Sequence, residues 1–252
     1  MQAALSVLEL LAARGAVSLA DLSRELGLAK STLHRVCGVL VDRGWVIRDK
    51  SGTFELGIRA LGMSARSPEL PIVTAFRGVA AWLLTRHDET VCLAVMDGDY
   101  SVFVAKEDTS QPVRLVTSTG ARTPAFASAS GRVHLASWPP DAVAAAFGGR
   151  PMVTPVGRRL SGMAELAGIL RDVREQGFAE NDEETASGLW AGSVPVVNGV
   201  GVVLAALTFC VPLGRISPER RLALLRDLQI AGDRLAADVD WLPAWNARGP
   251  KP

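Results

Sequence analysis

At 252 residues, 48% hydrophobic and 21% charged, the chain holds enough apolar material for one large domain or two small ones. A formal net charge of +1 excludes a chain-wide basic coat for nucleic acid and leaves room only for a local patch. Three scattered cysteines without a CxxC pair offer no disulfide framework and point to a reducing cytoplasm, and no apolar run is long enough to span a membrane.

"MQAALSVLELLAARG" has no basic leader and reads as a first helix over about residues 2–14, with Leu5, Leu8 and Leu11 on one face and Gly15 as its stop. Ser18 is a good N-cap for a second helix, with Asp21 in its first turn, Leu19, Leu22 and Leu26 as its apolar side and Gly27 at its end. A third helix runs from about Lys30 to Arg43 on a stripe of Leu33, Val36, Cys37 and Leu40, and Gly44 ends it. "WVIRD", a turn on "KSG" and "TFELG" read as a hairpin with Trp45 at its base. "SARSPELP", residues 64–71, carries two prolines and marks the domain boundary. Beyond it a helix fits residues 72–86, and strand-like runs follow at "TVCLAVM", "YSVFVAK" and "PVRLV". "ASASGRVHLASW" reads as a small-residue helix, and residues 164–176 as another, closed by Gly177. "GSVPVVNGVGVVLAALTFCVP" reads as two strands about an Asn198-Gly199 turn, and residues 220–239 as a last amphipathic helix before a frayed tail. Mixed helices and hairpins make the second domain an α+β layer fold.

The chemistry of the first domain lies on its third helix. At about 100° per residue, Ser31, Arg35, Gly38 and Asp42 fall opposite the apolar stripe, with His34 on the flank and Lys30 and Thr32 near the N-terminal turn. A helix docked in a DNA major groove needs this arrangement: N-terminal residues at base edges, free N–H groups toward phosphate. Arg35 could bond guanine O6 and N7 in a bidentate pair, while Arg48 and Lys50 on the hairpin could reach phosphates. Residues 1–66 carry nine Lys/Arg against six Asp/Glu, a modest local excess. A winged helix-turn-helix that binds double-stranded DNA is the reading, against an ordinary three-helix domain with a solvated face.

"GLAKSTLHRVCGVLVDRGWVIRD", "TFELGIRALGM", "GARTPAFASASGRVHLA" and "GFAENDEETASGLWAGSVPVVNGVGVVLAALTFCVP", in this order and spacing, resemble the IclR-type bacterial transcription regulators over nearly the full chain. The resemblance implies a winged helix-turn-helix domain over residues 1–58, a linker helix over 59–71 that carries coupling through Arg59 and Met63, a GAF-like effector-binding domain over 72–242, and a tail over 243–252. It implies a homodimer or dimer of dimers on a palindromic operator and an effector-responsive regulator with repression as the expected sign; the alternatives are an effector-blind orphan regulator and an enzyme domain fused to a DNA-binding module, and the sequence holds no nucleophile–base or metal constellation for an enzyme. Ser18, Lys30, Ser31, Thr32, His34, Arg35, Arg48 and Lys50 are then the expected DNA-contacting residues. Carried over by motif, a small organic effector would meet Phe126, Ala129, Ser130, Asn181, Leu189, Trp190, Ala191, Thr208 and Cys210. Asn181 stands where Asp is frequent, Ala191 where Cys is frequent, Phe126 where His is frequent, and Arg132 where Lys is usual, so the pocket is expected to be less polar. Met1 leaves almost none of the arm that often precedes the first helix; that arm is either dispensable or lies upstream.

Other candidates are weaker. "ENDEE", residues 180–184, clusters carboxylates suited to acid–base chemistry or a metal, against a solvated loop after a strand. His34, His87 and His134 show no zinc spacing, no GxSxG elbow exists, and "NGVGVV" sits in a hairpin and not in a phosphate loop, so no metal or cofactor is expected. Trp190 either caps a ligand or fills the core.

Overall fold

The computed structural model describes residues 1–60 and 70–242. Most of the expected linker helix, Met63 included, and the tail from Pro243 lie outside the described residues. The chain divides into two units, Met1–Glu69 and Leu70–Pro252.

The first unit is built from α1 (Gln2–Arg14), α2 (Leu19–Leu26), α3 (Lys30–Asp42) and a hairpin of β1 (Val46–Arg48) and β2 (Phe54–Leu56). Leu33, Cys37 and Leu40 of α3 meet Val7 and Leu11 of α1, Leu22 of α2, and Val46 and Phe54 of the hairpin in one core. On α1 the buried pair is Val7 and Leu11, at the i,i+4 spacing, while Leu5 of the expected stripe is 54% exposed. α1 is apolar nearly all round, so its sequence holds more than one stripe and tertiary packing chooses between them. The wing has a third member that local pattern does not reveal: Val17 and Phe54 exchange N–H···O bonds of 2.9 Å, tying the α1–α2 connection to β2.

The second unit contains α4 (Pro71–His87), β3 (Thr90–Asp97), β4 (Tyr100–Glu107), β5 (Arg122–Pro124), α5 (Ala129–Ala136), α6 (Pro140–Phe147), α7 (Met163–Gln176), β6 (Ala179–Asp182), β7 (Leu189–Val197), β8 (Val203–Pro212) and α8 (Pro218–Val239). Its six strands form one antiparallel sheet in the order β5-β4-β3-β8-β7-β6. α4 and α8 cover one face, and α5, α6 and α7 the other. The two-residue alternation of each strand divides the core between the faces: Val91, Leu93, Leu207 and Phe209 point to α4 and α8, and Cys92, Ala94, Ala206 and Cys210 to α5 and α7. Asp227 of α8 fastens α4: burial alone would raise its carboxyl, but hydrogen bonds from Arg86 at 2.8 Å and His87 at 2.9 Å carry it below the ordinary value.

Three expectations need correction. "PVRLV" is not a strand. Asp88 accepts from Ser110 and Gln111 just before it, and the Val113 carbonyl accepts from Arg215 at 2.8 Å, so the segment is tied to side chains and not to a strand ladder, and β5 forms later. The Asn198-Gly199 connection is a five-residue loop, because Asn198 Oδ1 accepts from Val202 N at 2.9 Å and Val200 N at 3.3 Å. The "ENDEE" segment is not a simple solvated loop: it includes edge strand β6, and Glu184 is buried against Arg132.

All three cysteines are free and buried. A hydrogen bond with Cys210, and then burial, hold the Cys92 thiol well above its ordinary range. An aromatic disulfide reagent, with the modified sites mapped by mass spectrometry, should therefore leave Cys37 and Cys92 unmodified in the native protein and modify both after denaturation; either one reacting within seconds in the native protein would contradict the packing.

Candidate nucleic-acid interface and ligand cavity

α2 is capped by Ser18, whose Oγ accepts from Asp21 N at 3.2 Å and donates to the Asp21 carboxylate at 2.6 Å. The Ser18 hydroxyl is thus committed within its own helix. α3 begins behind Ala29, which has no side chain to cap, so its first-turn N–H groups carry no side-chain acceptor. Lys30, Ser31, His34 and Arg35 are exposed and Thr32 is half-buried. None of the five is in an ion pair or side-chain hydrogen bond among the described residues. By contrast, Arg14 pairs with Glu25 and Arg24 with Asp21. Gly38, Val39 and Asp42 continue the exposed side of α3. On the wing, Arg48 lies 5.4 Å from the Phe54 ring centroid and is exposed, as is Lys50, which has no ion-pair partner among the described residues. The hairpin turn is stiffened by Asp49, which accepts from Ser51 Oγ at 2.7 Å and Thr53 N at 2.8 Å and so sits below its ordinary pKa. An uncapped helix end flanked by unpaired cations and short hydroxyls is complementary to a polyanion with readable edges.

In the second unit, a cavity of about 120 Å³ opens between the sheet and the N-terminus of α5. Of the nine carried-over residues, Ala129, Ser130, Leu189, Ala191, Thr208 and Cys210 line it. Ser128 caps α5 by accepting from Gly131 N at 3.1 Å. Gly131 is required there, because a Cβ would fall 2.3 Å from the Ala125 backbone. Two buried hydroxyl pairs reach the cavity, Ser130 with Ser101 at 2.8 Å and Thr208 with Ser193 at 2.9 Å. Among the described residues, no side chain lining the cavity is charged.

Phe126, Asn181 and Trp190 do not line it. Phe126 stacks edge-on with Phe147 at 5.9 Å and borders a separate depression with Arg150 and Asp99. Asn181 is spent on structure: its amide donates to the Ala127 carbonyl and its Oδ1 accepts from Glu184 N at 3.2 Å. Trp190 points through the opposite face of the sheet into the α4–α8 core, its Nε1 donating to Glu180 at 2.9 Å. Alternation forbids Trp190 from sharing a face with Leu189 and Ala191, and that parity was available in the sequence.

Residues 3–50 match the IclR helix-turn-helix domain, and residues 67–237 match the domain described as bacterial transcriptional regulator IclR C-terminal. The chain belongs to the IclR family. An HTH-type transcriptional regulator of Mycobacterium tuberculosis is 31% identical over 232 residues, 92% of this chain and 85% of that one. The HTH-type transcriptional repressor AllR of Klebsiella pneumoniae is 27% identical over 210 residues, 82% and 76% of the two chains. An IclR homolog of Microbacterium hydrocarbonoxydans, solved in complex with 4-hydroxybenzoate, superposes with a TM-score of 0.71 at 23% identity, over 95% of this chain and 99% of that one.

Within this family fold, the cavity wall includes residues that motif carry-over missed. Phe103, Leu115, Thr117, Thr123, Thr185 and Ala186 also line it. Next to Thr185 and Ala186, Glu184 pairs with buried Arg132 and with exposed Arg158; Arg132 also donates to the Phe126 carbonyl at 2.9 Å. That charge cluster spans 52 residues of chain, so no local pattern reveals it. Also buried in α5 is His134, which burial pushes down to about 4, with the Ala94 carbonyl 3.4 Å from its Nε2. Its folded pKa lies below the unfolded value, so neutral His134 contributes stability that is fully present above about 6.5 and lost as pH falls toward 4. Urea unfolding should show a loss of about 2 kcal/mol from this group between pH 7.5 and 5, which His134→Gln removes from the pH slope. An unchanged slope in the variant would contradict a neutral buried imidazole.

Proposed function

We propose that this IclR-family regulator is an effector-responsive repressor of the cytoplasm that binds a palindromic operator as a homodimer or dimer of dimers, and that it performs no catalysis. The carrying observation is the unpaired polar ridge of α3, set behind an uncapped helix start. Lys30, Ser31, Thr32, His34 and Arg35 occupy that ridge, with Arg48 and Lys50 on the wing for phosphate. The second unit supplies the effector site: Ala129, Ser130, Leu189, Ala191, Thr208 and Cys210 would contact a small organic molecule. The cavity offers hydroxyls, one thiol and apolar walls, with no acid or base to run a reaction. The repressor name of one relative and the 4-hydroxybenzoate held by another support the sign and the ligand size. Among the described residues no helix is long and apolar enough to cross a membrane.

An effector can shift operator affinity only by its differential affinity for two arrangements of the assembly, typically about 1–3 kcal/mol. Footprinting on the gene's upstream region should show two protected half-sites spaced by about 10 base pairs or a multiple of that turn. A single unpaired half-site, together with a monomer in sedimentation, would overturn the symmetric reading.

A further inference from the structure

The hydroxyls on the floor of the cavity form a chain that ends on a backbone carbonyl. Ser193 of β7 and Thr208 of β8 face each other across the sheet, and both are buried. Only Thr208 lines the cavity. Between them the hydroxyl oxygens are 2.9 Å apart, and Ser193 Oγ also lies 3.2 Å from the Leu207 carbonyl in donor geometry. A carbonyl only accepts, and Ser193 has one proton. A chain in which Thr208 donates to Ser193, and Ser193 donates to Leu207, is the assignment that satisfies both protons within the protein itself. Thr208 then turns only lone pairs toward the cavity. The second pair differs: Ser101 Oγ has no further partner among the described residues, so the Ser101–Ser130 bond can run either way.

We infer that Ser193, which does not touch the cavity, is a positioning residue that fixes Thr208 as an acceptor, so that the effector is a small molecule donating a hydroxyl or N–H proton to Thr208. This rests on the reading of the cavity as the effector site. A ligand presenting only an acceptor there would face lone pairs and would bind worse than its hydroxyl-bearing counterpart by about tenfold or more. Carboxylates are excluded from the Thr208 end and left to the reversible Ser130 end.

The test uses matched small probes on the full chain: 4-hydroxybenzoate against 4-fluorobenzoate, and lactate against pyruvate. Dissociation constants are read by ligand-observed NMR, which reaches millimolar affinities. Wild type should prefer the hydroxyl member of each bound pair by about tenfold. Ser193→Ala frees the Thr208 proton to point either way and should bring the ratio within about threefold, and Thr208→Val should do the same by removing the acceptor. A packing role for Ser193 would weaken both members of a pair together and leave the ratio alone. Ratios near one in wild type, a preference for the acceptor member, or a ratio preserved in Ser193→Ala would overturn the inference while leaving the cavity as the site. Binding by none of the probes, or binding unaffected when Ala191→Trp fills the cavity, would overturn the effector-site reading and this inference with it.

Discussion

Trp190→Ala should destabilise the second unit by about 3–5 kcal/mol, the cost of removing a large side chain from a core that cannot close over the gap. The indole is fully buried in the α4–α8 core, donates to Glu180, and lies 5.8 Å beneath the Arg221 guanidinium. It also dictates a neighbour. A Cβ at Gly192, two residues along on the same face of β7, would meet the indole at 2.5 Å and Leu225 at 2.9 Å. Gly192→Ala should therefore cost about 1–3 kcal/mol in the wild-type background and much less beside Trp190→Ala, because the two share one space. Equilibrium urea unfolding of the four proteins measures both terms. Folded Trp190→Ala should keep its affinity for cavity ligands; loss of binding without loss of stability would return Trp190 to a capping role.

Arg35→Ala should cost about 1–3 kcal/mol at each half-site, so that a symmetric operator loses roughly thirtyfold or more in affinity while random duplex is bound almost as before. Arg35 is exposed, unpaired among the described residues, and stands on the side of α3 away from Leu33, Cys37 and Leu40, so the substitution leaves the core intact. Lys50→Ala on the wing makes the contrast. It should weaken all sequences alike and lower the salt slope of binding by about one. Arg35→Ala behaving like Lys50→Ala would make Arg35 a phosphate contact.

What the sequence made legible follows from the range of the forces involved. Leu33, Cys37 and Leu40 repeat at the helical period and bury as a stripe, so the ridge opposite them could be named residue by residue. Ser18 and Asp21 cap α2 through atoms three residues apart. Six of the nine residues carried over by motif do line the cavity, because strand and helix register carries them along with the fold. The failures lie where distant segments compete. Asn181 faces inward, yet its amide is taken by Ala127, far away in sequence. "PVRLV" has strand composition, but Arg215 and Asp88 hold its carbonyl and its start. Glu184 looks like one of several surface acids until Arg132 arrives from α5 and Arg158 from the loop before α7. Only Trp190 was excluded by a rule already present in the chain, the parity of β7.

The most direct measurement is a fluorescence anisotropy titration of the protein on DNA from its own upstream region, against a scrambled duplex of equal composition, at about 0.15 M ionic strength, where non-specific attraction is screened. The expected result is a preference for the native duplex of about a thousandfold or more, lost in the Ser31→Ala/Arg35→Ala double variant. Equal binding of the two duplexes, or a double variant that titrates like wild type, would contradict it.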